Sequence, residues 1–197
     1  MVVVLDTSVL SWFARANRLD VLERLLTGIR AVTTRAVLDE IRNGIDRFPA
    51  LQPVLHLAWL EEVSLNDLVV LGIFAEYSRR LGSGPNGNVG EATVLAWAEV
   101  NGAVPIVDEK AGRQVAKERR IQVRGSLWLV SHGITSALLT LSQGAQLVDE
   151  LRAAGAYLPC NGATFPRWAH ENGLAAPNDP PVDVSESPRH RNGVPPS

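Results

Sequence analysis

Four carboxylates, Asp6, Glu40, Glu91 and Asp108, stand where an acid is hard to explain as ordinary surface charge. Asp6 closes the run Val2-Val3-Val4-Leu5, and Asp108 closes Pro105-Ile106-Val107. If both runs are neighbouring strands of a parallel sheet, both acids lie at its carboxyl rim, where the functional groups of such sheets gather. Glu40 shares a helical face with Ala36, Val37 and Ile41, and Glu91 lines up with Val94, Leu95 and Ala98. An acid on an apolar stripe points inward, where a lone ionised carboxylate is very costly. Each acid taken singly has a plainer explanation. Asp is a common helix cap after a strand, and an inward Glu can serve a buried ion pair or a helix dipole. Together, however, the acids would repel one another and raise some of their pKa values unless a cation neutralised them. Oxygen-only ligands with retained water suit a hard ion, Mg²⁺ or Mn²⁺. His56, His132, His170 and His190 are scattered without ligand spacing, which argues against zinc. A hard divalent ion could activate water for in-line attack on a phosphodiester and stabilise charge on the phosphate oxygens.

The elements that must position these acids follow from the hydrophobic pattern. Strands are expected over Val2–Leu5, Arg30–Thr33, Leu60–Leu65, Ala103–Val107 and Ile121–Arg124. Helices are expected over Leu10–Ala16 and Leu19–Leu26, from a cap at Thr33 or Thr34 through Asn43-Gly44, and over Pro49–Trp59, Leu68–Leu81, Gly90–Val100 and Glu109–Arg120. Their alternation predicts an α/β fold with a parallel sheet. Beyond Gly125 the pattern is helical only, over Leu127–Val130, Ile134–Leu141, Ala145–Ala154 and Phe165–Asn172. The loop Gly82–Asn88 is expected to be the most flexible part of the core. Residues 176–197 hold six prolines and few large apolar side chains, and are expected to form a disordered tail.

Composition is that of a globular chain, 46% hydrophobic and 20% charged. The formal charge of −2 supplies no global positive field, so any nucleic-acid contact must come from a local basic patch. Lys110, Arg113 and Lys117 fall on one helical face next to Asp108 and are candidates for phosphate contacts. Arg119 and Arg120, like Asp39 and Glu99, have the pattern of a solvated face, and Arg79-Arg80 could flank substrate entry. Trp12-Phe13, close to Asp6, is the aromatic pair best placed to stack a base. A single cysteine, Cys160, fits a reducing cytosol. With neither signal-peptide features at the start nor an apolar run of spanning length, a cytoplasmic protein away from membranes is expected.

Four segments, in order, resemble the signature of the PIN-domain ribonucleases. They are Val2-Val3-Val4-Leu5-Asp6-Thr7-Ser8, Thr34-Arg35-Ala36-Val37-Leu38-Asp39-Glu40-Ile41, Gly90-Glu91-Ala92-Thr93-Val94-Leu95-Ala96 and Val107-Asp108-Glu109-Lys110. The resemblance implies a three-layer α/β/α sandwich around a central parallel sheet, followed by a helical C-terminal extension. It assigns Asp6, Glu40, Glu91 and Asp108 as catalytic metal ligands, with Glu109 a candidate fifth acid and Thr7 and Ser8 beside the substrate. Residues 1–155 would be the nuclease domain, 156–175 the helical extension and 176–197 the tail. The stretch Asp108–Arg124, with Gly125 after it, is similar to the bacterial and archaeal branch close to VapC-type toxins. That likeness implies a Mg²⁺- or Mn²⁺-dependent endoribonuclease, a homodimer, and a small antitoxin protein that covers the site.

Two other functions compete with this expectation. A catalytically idle PIN-like interaction module would dispense with the acids, yet all are present. An aspartate-based phosphotransfer domain also uses strand-end acids, but a haloacid-type hydrolase needs Asp-x-Asp where Asp6-Thr7-Ser8 stands, and a receiver needs an Asp at the end of a middle strand.

Overall fold

Val2–Leu5 (β1) is flanked on one side by Arg30–Thr34 (β2) and on the other by Val104–Ile106 (β4). Leu60–Val63 (β3) extends the sheet beyond β2, giving the order β3-β2-β1-β4 with every pairing parallel. The computed structural model describes residues 1–82 and 88–174. The expected flexible loop over 82–88 and the expected tail over 176–197 therefore fall almost wholly outside the described residues.

The sheet is the middle layer of an α/β/α fold with a helical C-terminal region. Its helices are Thr7–Arg15 (α1), Leu19–Leu25 (α2), Arg35–Gly44 (α3), Leu68–Leu81 (α4), Val89–Asn101 (α5), Lys110–Glu118 (α6), Ser126–Thr135 (α7), Leu141–Ala153 (α8) and Phe165–Glu171 (α9). Val3, Val4 and Leu5 of β1 are wholly buried, as expected of a central parallel strand covered on both faces. The chain leaves β1 through Asp6, whose side chain caps α1 by accepting from the Ser8 N–H. It leaves β2 through Thr34, which caps α3 at the Val37 N–H. Inside the core Thr33 Oγ1 donates to the Leu5 carbonyl at 2.9 Å, and the Thr34 and Thr93 hydroxyls meet at 2.7 Å, so both buried β2 threonines are satisfied.

Helix α5 is buried at every position from Gly90 to Ala98, a central helix rather than an amphipathic one. Glu91 is thus surrounded by core from the first turn.

Several elements differ from expectation. Pro49–His56 is a 3₁₀ segment, shorter than the expected helix; Pro53 inside it removes a backbone donor. Ile121–Arg124 is not a strand. It touches β4 through one parallel bridge, Ile106 to Arg124, held by Val107 N–H to Arg124 O at 2.8 Å and Arg124 N–H to Pro105 O at 3.0 Å. Of the two short helices expected over Leu127–Val130 and Ile134–Leu141, the first is longer, running to Thr135 as α7, while most of the second is missing: residues 136–140 are not helical, and Ala137 takes a left-handed backbone (φ 56°). A capping box follows: Thr140 accepts from the Gln143 N–H and Gln143 accepts from the Thr140 N–H, starting α8.

Glu99 and Arg119 are not solvated either. The Arg119 guanidinium grips both oxygens of Glu99 and reaches Glu76, while the wholly buried Tyr77 donates its hydroxyl to Glu99 at 2.8 Å. Hydrogen bonds from Arg119 hold the Glu99 carboxyl below its ordinary pKa. This knot ties α4, α5 and the end of α6 together.

Candidate metal centre

The register places Leu5 opposite Ile106, so β1 and β4 end at the same level and their following residues share one rim. A cleft of about 850 Å³ opens there, lined by Asp6, Glu40, Glu91 and Glu109. Asp6 and Glu91 are 3% and 4% exposed, which makes them the only acids among the buried polar residues described.

Each acid is held differently. Asp6 Oδ2 accepts from the Ser8 hydroxyl at 2.7 Å and from the Ser8 N–H at 3.2 Å. Even so, burial, aided by the neighbouring charge of Glu40, pushes its pKa up to about 6. Glu40, half-buried on α3, accepts from the Thr7 hydroxyl and, at 2.7 Å, from the Gly90 N–H at the start of α5. A Cβ on Gly90 would lie 2.5 Å from Glu40 Oε2, so a side chain there would push the Glu40 carboxylate out of its present position. Glu91 is the least satisfied. Both of its carboxylate oxygens are buried without a hydrogen bond among the described residues. Burial first, then the charges of Asp6 and Glu109, push its pKa up to about 8; the nearby Gly112 amide, outside hydrogen-bond geometry, pulls slightly the other way. Gly112 of α6 is itself a cradle, since a side chain there would overlap the Glu91 carboxylate.

Asp108 is turned away from the other three acids, contrary to expectation. Its Oδ1 accepts from the Ser126 N–H at 2.8 Å and its Oδ2 from the Ser126 hydroxyl at 2.6 Å, which caps the start of α7. Burial raises its pKa, against the lowering effects of Ser126 and Arg113. Successive side chains of an extended stretch point to opposite sides. Glu109 is extended (φ −69°, ψ 137°), so with Asp108 committed to Ser126 it is Glu109 that faces the cleft. Gly125 allows this: a Cβ there would sit 2.7 Å from Asp108 Oδ1.

The other expected site residues divide between two neighbouring hollows. Thr7 and Ser8 line the acid cleft, with their hydroxyls spent on Glu40 and Asp6. Lys110, Arg113 and Lys117 line a second groove with Asp108. Of the aromatic pair, Trp12 lines the acid cleft while Phe13 is wholly buried in the core. Arg80 faces Glu118 at 3.5 Å. Arg15 is an unexpected member: it lines the acid cleft with its guanidinium 4.1 Å from the Phe48 ring centre. A signal for it exists in the sequence, because Ser8, Ser11, Trp12 and Arg15 recur at helical spacing on α1. Ser126 gives no local signal at all.

The PIN-domain family model matches residues 2–162. The chain belongs to the PIN-domain family. No curated protein matches it. Among solved structures, VapBC2 from Rickettsia felis bound to a DNA fragment from its promoter is similar in fold, with a TM-score of 0.47 and 14% identity over 64% of this chain and 98% of that one. In this PIN domain, no group of three His, Cys, Asp or Glu side chains among the described residues is close enough to form a ready-made metal-ligand set. The donors nevertheless fit a hard divalent cation. They are all oxygens, they are mutually repelling acids, and one of them keeps two buried oxygens without any partner among the described residues. No helix among the described residues is long and apolar enough to cross a membrane.

Proposed function

We propose that this PIN domain is a Mg²⁺- or Mn²⁺-dependent endoribonuclease that hydrolyses RNA phosphodiesters, acting as the toxin of a type II toxin–antitoxin pair. The observation that carries the nuclease activity is Glu91, whose two buried oxygens lack partners among the described residues while facing the charges of Asp6, Glu40 and Glu109. Such an arrangement is costly unless a cation completes it.

Asp6, Glu40 and Glu91 would hold the ion, with Glu109 on the wall of the same cleft. When bound, the ion supplies Lewis acidity to water and to the phosphate oxygens. The protein contributes position. Ser8 fixes Asp6 through one oxygen, and the Gly90 N–H and Thr7 hydroxyl fix Glu40. Arg15 offers a cation on the same cleft wall for a phosphate flanking the scissile bond. Support for the toxin role comes from the VapC-like sequence of Asp108–Arg124. Support for a homodimer comes from apolar side chains exposed on α4, Leu68 at 84% and Val69 at 61%.

The test is incubation of the purified chain with a panel of structured RNAs in Mg²⁺, Mn²⁺ or EDTA, alongside Glu91→Gln. Cleavage is expected with metal only and lost in the variant. Equal cleavage in EDTA, or by Glu91→Gln, would refute the function.

A further inference from the structure

The groove beside the acid cleft has a volume of about 700 Å³ and a wall made by α6. Lys110, Arg113 and Lys117 follow one another along that helix, and Arg120 continues the line just past its end. From Lys110 to Lys117 the helix rises roughly 10 Å, enough to present cations to successive backbone phosphates. None of the four pairs with an acid at ion-pair distance among the described residues, unlike Arg119 beside them, which is bound to Glu76 and Glu99. Arg120 holds a left-handed backbone (φ 60°) where glycine would be unstrained. The conformation is tolerated with a long cationic side chain that faces the groove.

The opposite wall comes from the segment after α8. Tyr157 lines the groove there with 96% of its surface exposed, although it is flanked by the buried Ala156 and Leu158. A ring held out by anchored neighbours has no core role. The groove and the acid cleft are neighbours along the chain: Glu109 lines the cleft and Lys110, the next residue, lines the groove. A polyanion held at Lys110 is therefore one residue away from the wall of the acid cleft.

We infer that this groove is a subsite for single-stranded RNA, in which phosphates run along Lys110, Arg113, Lys117 and Arg120 and one base stacks on the Tyr157 ring. The inference deepens the nuclease function proposed above and rests on it. Single-stranded rather than duplex RNA is the substrate because only an unstacked base can present its face to a lone tyrosine. Asp108 lies on the same groove but its carboxylate is occupied by Ser126 and neighboured by Arg113, so it does not cancel the cationic line.

The experiment measures binding of fluorescent oligo-uridine and oligo-adenine to the full chain in EDTA, with a duplex RNA as comparison. Tyr157→Ala should weaken single-strand binding by about 5- to 150-fold, the range for removing one base–aromatic stack, and Tyr157→Phe should restore it. Replacing Lys117 and Arg120 together by serine should lower the slope of log affinity against log salt by about 1.4, roughly 0.7 for each phosphate that is no longer neutralised. Duplex binding should not depend on Tyr157. Single-strand binding that Tyr157→Ala leaves unchanged, or an unaltered salt slope, overturns the inference and leaves the groove to a protein partner; failure of the wild type to bind RNA overturns it as well. Failure of the nuclease function is read separately. RNA binding that depends on Tyr157, with cleavage that ignores Glu91→Gln, sinks the activity and keeps the subsite.

Discussion

The Glu91 carboxylate lies so close to the α-carbon of Gly112 that any side chain on that glycine would overlap Oε1. A residue from α6 therefore sets where an acid from α5 can point, and α6 also carries the cations of the neighbouring groove. Acid cleft and basic groove are two sides of one helix.

Gly112→Ala is expected to displace Glu91 and cripple the site without touching any carboxylate. The backbone at Gly112 is ordinary helix, so the substitution is not penalised by conformation; the overlap itself should cost about 1–3 kcal/mol of stability. Isothermal titration with Mn²⁺ should show affinity reduced by at least about tenfold, as for losing the support of a metal ligand. Wild-type Mn²⁺ affinity in this variant would mean that Glu91 is not a ligand.

Glu91→Gln should separate stability from function. In the metal-free protein below about pH 8 the Glu91 carboxyl is mostly protonated, so the substitution exchanges one neutral buried group without a partner among the described residues for another, and the melting temperature should stay level. Metal-dependent cleavage should fall by about 100-fold or more. Thermal melts in EDTA and cleavage assays in Mn²⁺, done on the same preparation, check both halves. A large fall in melting temperature would show that Glu91 serves the fold.

Asp6 and Glu91 have folded pKa values of about 6 and about 8, raised from 3.8 and 4.5. Between about pH 4 and pH 8 the folded metal-free protein thus holds more protons than the unfolded chain, and stability must fall as pH rises through that window. The stabilisation is complete below the unfolded values and gone above about 8. Mn²⁺ should reverse the trend, because binding requires ionised carboxylates and releases their protons. Urea melts across this range, with Mn²⁺ and with EDTA, give the two slopes; a metal-free protein that grows more stable towards pH 8 would contradict the crowded-acid picture.

Much of this arrangement is legible from residue types alone. A β-branched run ending in Asp-Thr-Ser has few ways to fold other than a buried strand entering a capped helix, and β1 and Asp6 follow it. Glu91 is conspicuous in the sequence because it opens an apolar helix, although α5 proves buried all round rather than along one stripe. What stays hidden depends on contacts between distant segments. Asp108 and Glu109 are adjacent acids at a strand end, and nothing local says which faces the cleft; the choice is made by Ser126, eighteen residues away. Glu99 has the pattern of a solvated acid because its partners, Tyr77 and Arg119, lie far from it along the chain.

That knot makes its own prediction. Arg119→Ala would strip Glu99 of its two guanidinium bonds and leave Tyr77 as its remaining partner. Since Arg119 is one-fifth exposed, solvent would soften the loss, and a destabilisation of about 1–3 kcal/mol is expected rather than the larger figure for a sealed ion pair. Denaturant unfolding measures it, and Mn²⁺ affinity should be unchanged, because the knot lies outside the acid cleft.

Comparing Asp108→Asn with Glu109→Gln decides which acid of the pair attends the ion. Asp108 accepts two hydrogen bonds from Ser126 at the start of α7, so the amide variant keeps one acceptor and loses the other, and about 1 kcal/mol of helix-cap stability should go with it. Its effect on cleavage should track that loss of order near Gly125. Glu109 makes no hydrogen bond through its side chain among the described residues and lines the acid cleft, so Glu109→Gln should leave unfolding untouched while weakening Mn²⁺ binding and cleavage. The two variants should therefore separate on a plot of stability against metal affinity. If Asp108→Asn abolished Mn²⁺ binding at unchanged stability while Glu109→Gln bound normally, the side chain of Asp108 would have to swing from Ser126 into the cleft when the ion arrives.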